Sequence, residues 1–158
     1  MTLAYVALGA NLGDAEGTLR AAQGEIAALP GAHLLKVSSL YCTAPVGLRH
    51  QPDFINGVLV LDYDGTSHEL LAALFSIEQR FGRQRSVPNA PRTLDLDLLL
   101  FGNEKNDDAV LTLPHPRMHE RAFVLAPLHE VAPGLVIPGH GTVTDLLKKC
   151  ADQRITKI

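Results

Sequence analysis

Four consecutive apolar residues, Leu98-Leu99-Leu100-Phe101, set the tightest limit on how this chain can fold. A strand with one wet face alternates apolar and polar side chains, so an unbroken run of this kind requires cover on both faces. It reads as a central strand of a sheet packed on each side. Just ahead of it, Asp95 and Asp97 are spaced i, i+2, which puts both carboxylates on one side of the strand with Cα atoms roughly 6.5–7 Å apart. Two like charges at the mouth of a buried strand each disfavour ionisation of the other, so a cation is expected between them. Mg²⁺ suits the position, because it takes hard oxygen ligands, keeps several waters and commonly shares its shell with substrate phosphates. Taken alone, Asp-x-Asp is more often a solvated strand end. The approach to it argues otherwise: Arg80, Arg83, Arg85 and Arg92 crowd the preceding segment, with Ser86, Pro88, Asn89 and Pro91 forming a loop among them. Carboxylates facing a basic loop are what a metal-bound polyphosphate needs, metal on one side of the oxygens and guanidinium on the other.

The pattern around this strand gives the class. Residues 2–9 read as a buried strand, and apolar positions Leu19, Ala22, Ile26 and Leu29 recur at helical spacing until Pro30-Gly31 stops them. Residues 34–46 read as a second strand and 54–63 as a third, the latter rich in β-branched side chains. Thr66-Ser67-His68-Glu69 is a helix start, and the helix runs through Leu70, Leu74 and Ile77 to Gly82. The order βαββαβ, with two helices on one face of an antiparallel sheet, predicts an α+β ferredoxin-like sandwich. Beyond Gly102 the chain adds a strand near residues 110–113, a Pro- and His-rich segment and a short helix over 143–150, as a layer on the same core.

At 158 residues and 17.0 kDa, without a linker, repeat or low-complexity tract, one domain over 1–158 is expected. The net charge of −3 argues against broad attraction to nucleic acid or a membrane surface. Cys42 and Cys150 are too few for a disulfide framework and lack metal-ligand spacing, and the start of the chain has no basic n-region or long apolar span, so a cytoplasmic protein is the default expectation.

Three further groups invite chemistry. Gly9 and Gly13 flank a strand-to-helix turn, but the Walker spacing and its lysine are missing, so both read as turn glycines. In Pro114-His115-Pro116-Arg117-Met118-His119-Glu120-Arg121, prolines fix the backbone on each side of His115, whose imidazole can donate to a phosphate oxygen. His119 lies four residues on, but the prolines oppose a continuous helix and no zinc pair is assigned. Phe54 and Phe123 fall at element ends where rings can line a pocket, and Asn56 shares a strand face with Phe54, so it could read the edge of a flat heterocycle.

These segments together resemble the 6-hydroxymethyl-7,8-dihydropterin pyrophosphokinases of folate biosynthesis. The likeness is carried by Arg92-Thr93-Leu94-Asp95-Leu96-Asp97, Gly9-Ala10-Asn11-Leu12-Gly13-Asp14, residues 41–47, Phe54-Ile55-Asn56 and Pro114-His115-Pro116-Arg117-Met118, and it spans nearly the whole chain in the family's order. The resemblance implies a ferredoxin-like monomer that transfers the β,γ-diphosphate of ATP to the pterin's hydroxymethyl oxygen and releases AMP. It implies that Asp95 and Asp97 bind two Mg²⁺ ions bridging the ATP phosphates, and that Arg83, Arg85 and Arg92 are the basic groups of a moving catalytic loop. Glu78, Leu98, Thr112, His115 and Arg121 are implied on the ATP side; Thr43, Ala44, Val46, Phe54, Asn56 and Phe123 are implied around the pterin. The chain departs from the family pattern in the loop Ser86-Val87-Pro88-Asn89-Ala90, which lacks an aromatic, and at Phe75, where several relatives use glutamine. Two other readings stand beside this one: a nucleotide-sugar transferase, in which Asp-x-Asp also holds a metal diphosphate, and a ligand-binding regulatory module of ferredoxin-like type.

Overall fold

The computed structural model describes residues 1–43, 53–82 and 93–158. Strand β1 (Thr2–Ala10) pairs antiparallel with β4 (Phe54–Tyr63) on one side and with β5 (Asp95–Phe101) on the other. On the far side of β4 lie β2 (Ala32–Val37) and β3 (Tyr41–Thr43), end to end, and β3 also pairs with the C-terminal strand β10 (Ile155–Lys157). The order β5-β1-β4-(β2,β3) is that of a ferredoxin-like sheet, with β10 added at the edge.

Helices α1 (Ala15–Ala27) and α2 (Ser67–Arg80) cover one face. Asp14 caps α1 by accepting from Gly17 N–H at 3.1 Å. Thr66 and Glu69 form a complete capping box on α2, holding the first turn that the sequence predicts. Their inward residues, Leu19 and Ile26 from α1 and Leu70, Leu74 and Ile77 from α2, meet Val6, Leu8, Leu96 and Leu98 in one core cluster. Each such burial contributes about 1.5–3 kcal/mol. The opposite face carries α3 (Ala122–Val131) and α4 (Val143–Lys149), whose Val124, Leu125, Leu128 and Leu146 pack on Tyr5, Val58, Val60, Leu99 and Leu100. Two small hairpins, β6 (Asn106–Asp107) with β7 (Thr112–Leu113) and β8 (Val136–Ile137) with β9 (Gly141–Thr142), complete the chain. Among the described residues no helix is long and apolar enough to cross a membrane.

Several expectations need correction. β5 is the last strand of the sheet rather than a central one. It is nonetheless covered on both faces, and its open edge is occupied by other groups: Glu78 accepts Leu96 N–H at 2.7 Å, and His115 N–H donates to Leu99 C=O at 2.9 Å. The unbroken apolar run has a second cause. A bulge leaves Leu99 without a partner between Tyr5↔Leu100 and Val6↔Leu98, so Leu99 and Leu100 both join the α3-side cluster. The single strand expected over 34–46 is interrupted within the described part of its span. Ser38 is buried with its hydroxyl accepting Val58 N–H and donating to Ser39 C=O, a local bonding pattern that competes with the ladder. The strand expected near 110–113 is shorter, Thr112–Leu113. Helix α3, hidden by its internal Pro127, and strand β10 were not expected.

Candidate active site

Antiparallel register aligns the site. Asp95 lies opposite Gly9, which lies opposite Asn56, which lies opposite Tyr41; Asp97 lies opposite Ala7, and Phe54 opposite Thr43. Residues directly opposite share a sheet face, so these side chains form a patch on the α3 side, at the end of the sheet that α3 leaves open. Tyr41 fastens the patch to α3, its hydroxyl donating to Glu130 at 2.6 Å. Gly9 is not a turn residue: it lies within β1, and a Cβ there would meet Asn56 Oδ1 at 2.9 Å. The missing side chain lets the Asn56 amide lie across the strand, with Nδ2 donating to Thr43 Oγ1 at 3.1 Å. Asn56 is 6% exposed, so this hydrogen bond fixes a buried polar group that would otherwise be costly to keep there.

Two clefts meet at this patch. The first, about 580 Å³, runs between α2 and the edge of β5 and is lined by Leu71, Phe75, Glu78, Leu98, Thr112 and His115. The second, about 1040 Å³, is lined by Thr43, Phe54, Asn56, Arg121, Phe123 and Asp95, with Gly9, Arg117 and Arg154 around them. Asp97 borders both. Leu98 is 3% exposed and belongs to the core, so it offers the first cleft chiefly backbone. Arg121, expected on the ATP side, lines the second cleft, its guanidinium 5.4 Å from the centre of the Phe123 ring, while its charge is also felt at His115. Arg80 pairs with another helix: its Nε donates to Glu25 of α1 at 3.0 Å, joining α2 to α1. Arg83, Arg85, Arg92, Ala44 and Val46 lie outside the described residues.

His115 is held neutral. Burial is the main cause, the positive charges of Arg121 and Arg117 add to it, and Asp95 opposes it, leaving the imidazole pKa at about 4. Arg117 N–H donates to its Nδ1 at 3.2 Å, so Nε2 carries the proton and is the ring's donor. Because the folded value lies below the usual 6.5, the unfolded chain takes up the proton first as pH falls. The stability contributed is therefore complete above pH 6.5 and is lost as pH drops towards 4. We expect the His115 ring resonances to stay unchanged from pH 8 to 6 and to titrate near pH 4 in NMR of the ligand-free protein; a midpoint near 6.5 would contradict the assignment.

No local pattern points to Gln153. Its Oε1 accepts Ala122 N–H at 2.9 Å and its Nε2 donates to Glu120 C=O at 2.8 Å, clamping the backbone on either side of Arg121. Arg121 stands at the N-cap of α3 and makes no side-chain cap bond, so the helix start needs a partner from elsewhere. That need could have been anticipated, but not a partner 31 residues along the chain.

Asp95 and Asp97 are a hard-oxygen donor set, and among the described residues no third His, Cys, Asp or Glu joins them into a protein cage. Two carboxylates with room beside them for water and phosphate oxygen fit Mg²⁺, which seldom occupies an all-protein site.

The chain has known relatives. The family described as 7,8-dihydro-6-hydroxymethylpterin-pyrophosphokinase (HPPK) matches residues 5–133. The 2-amino-4-hydroxy-6-hydroxymethyldihydropteridine pyrophosphokinase of Haemophilus influenzae is 42% identical over 158 residues, covering 100% of this chain and 99% of that one. The enzyme of the same name from Pseudomonas aeruginosa is 43% identical over 154 residues, covering 98% and 95%. Among solved structures, wild-type Plasmodium falciparum HPPK-DHPS aligns with a TM-score of 0.75 at 15% identity, over 96% of this chain and 41% of that chain. An HPPK-DHPS in complex with substrates gives 0.73 at 13%, covering 96% and 44%. This chain therefore spans less than half the length of those two structures, and likeness at such identity speaks for the fold alone. The match over residues 5–133 and the full-length relatives above 40% identity show that this chain belongs to the 7,8-dihydro-6-hydroxymethylpterin-pyrophosphokinase family.

Proposed function

We infer that this chain transfers the β,γ-diphosphate of ATP to the hydroxymethyl oxygen of 6-hydroxymethyl-7,8-dihydropterin, giving AMP and the pterin diphosphate ester of folate biosynthesis. The hydroxyl oxygen bonds to the β-phosphorus and gives up its proton to solvent, and the bond from that phosphorus to the α,β-bridging oxygen breaks as AMP leaves. The observation that carries this reading is that Asp97 borders both clefts, so a triphosphate in one and a hydroxymethyl group in the other would meet at its carboxylate. No covalent nucleophile is required, since phosphoryl chemistry of this kind is driven by in-line positioning and charge neutralisation.

The first cleft takes ATP. Leu71 and Phe75 of α2 offer an apolar wall for the base, Leu98 and Thr112 border the adenosine, and the Nε2–H of His115 donates to a phosphate oxygen while leaving the ring uncharged. The second cleft takes the pterin between the Phe54 and Phe123 rings, with Asn56 and Thr43 reading its edge and the backbone of Ala44 and Val46 assisting. Arg121, over Phe123, adds positive charge where phosphate passes from one cleft to the other. Asp95 and Asp97 would hold Mg²⁺, two ions with ATP bound, supplying neutralisation of the phosphates and orientation of the attacking hydroxyl. Arg83, Arg85 and Arg92 would bring guanidinium to the same oxygens and help exclude water, so that ATP is not simply hydrolysed. The chain is read as one domain working as a cytoplasmic monomer.

Incubation with ATP, Mg²⁺ and 6-hydroxymethyl-7,8-dihydropterin is expected to yield AMP and the diphosphate ester in equal amounts. ADP as product would replace this reading with single phosphoryl transfer. Tight binding of either ligand without nucleotide turnover would replace it with a ligand-binding module.

A further inference from the structure

Glu78 was expected on the ATP side, and it does line the first cleft. It is also 3% exposed, which leaves almost no surface for a ligand to touch. One of its contacts reaches the reaction centre by another route: Oε2 accepts the backbone N–H of Leu96 at 2.7 Å. Leu96 is the residue between Asp95 and Asp97, in the terminal strand of the sheet. An edge strand holds its orientation less firmly than a central one, and a charge-assisted hydrogen bond to its N–H stops the strand end from rotating. The bond also ties that end to α2, the helix carrying Leu71 and Phe75 in the wall of the first cleft.

We propose that Glu78 is a positioning residue that aims the Asp95 and Asp97 carboxylates by holding the peptide between them, rather than a contact of the nucleotide. The proposal rests on the reading that those two carboxylates hold the metal. Partners standing behind metal ligands typically govern about 10–100-fold of metal affinity. Glu78→Gln keeps an oxygen that accepts Leu96 N–H; Glu78→Ala does not.

The test measures Mn²⁺ binding by the loss of free-ion EPR signal, with a non-cleavable α,β-methylene ATP analogue bound, and amide hydrogen exchange at Leu96 without ligand. We expect Glu78→Ala to weaken Mn²⁺ binding about tenfold or more and to speed exchange at Leu96. Glu78→Gln should stay within about threefold of the parent in both. Mn²⁺ affinity unchanged in a folded Glu78→Ala protein overturns the proposal. So does a folded Glu78→Gln protein that loses Mn²⁺ tenfold, since charge and not hydrogen-bond acceptance would then be the requirement. If the alanine variant does not fold, the glutamine variant alone decides between these outcomes. Asp97→Ala serves as reference: if it abolishes Mn²⁺ binding while Glu78→Ala leaves it intact, only the positioning role falls. If Asp97→Ala binds Mn²⁺ as the parent does, the metal reading falls and takes the positioning role with it.

Discussion

Replacing Asp97 with alanine is expected to reduce AMP formation by more than about a thousandfold while leaving the thermal midpoint close to that of the parent. Asp97 is a half-buried side chain at the end of β5, and the apolar packing that holds this strand is made by Leu96, Leu98, Leu99 and Leu100. Removing the carboxylate therefore takes little from the core. It takes from the site one of the two carboxylates proposed to hold the metal, and the one that borders both clefts. Stabilising developing phosphate charge in a water-poor site is commonly the largest single contribution to such a reaction, and its loss appears mainly in kcat. Turnover within tenfold of the parent, with AMP measured directly, would remove Asp97 from the chemistry. A collapse of the thermal midpoint would mean that the residue is structural first.

The second large effect is expected at Gly9, where the substitution is only one methyl group. In Gly9→Ala the new Cβ lies 2.9 Å from Asn56 Oδ1, the end of a buried side chain that must swing away and give up its bond to Thr43, so the fold should lose about 1–3 kcal/mol. The swing breaks the Nδ2 to Thr43 hydrogen bond and displaces the amide that faces the second cleft. Losing a positioned polar partner of this sort costs about 1–3 kcal/mol, so pterin affinity should fall about 5- to 150-fold. ATP affinity should hardly change, because the first cleft does not include Gly9. Calorimetric titration with each ligand separately checks both halves. Equal weakening of the two would mean that the substitution distorts the sheet rather than the amide.

The two residues also illustrate what could be read without a structure. Asp95 and Asp97 were legible because strand geometry turns an i, i+2 spacing into a shared face, and the capping box at Thr66 and Glu69 because it is a four-residue pattern with a local cause. The βαββαβ order followed from periodicity together with local stop and start signals such as Pro30-Gly31 and Thr66. Gly9 was misread because what limits it is a side chain on a neighbouring strand, paired across the sheet and 47 positions away. Gln153 was invisible for the same reason, and α3 because its Pro127 reads as a break although nine other helical residues surround it. The bulge at Leu99 concealed the edge position of β5 by placing two successive leucines on one face. Local chemistry was readable, then, while groups brought together only by tertiary pairing were not.

A single acidic side chain standing in the walls of two cavities has a thermodynamic corollary. Filling either one alters the charge and hydration that the other occupant meets, so the two binding equilibria are bound by reciprocity. Whatever factor ATP imposes on the dissociation constant of the pterin, the pterin must impose on that of ATP, with coupling of this kind usually amounting to about 5- to 150-fold.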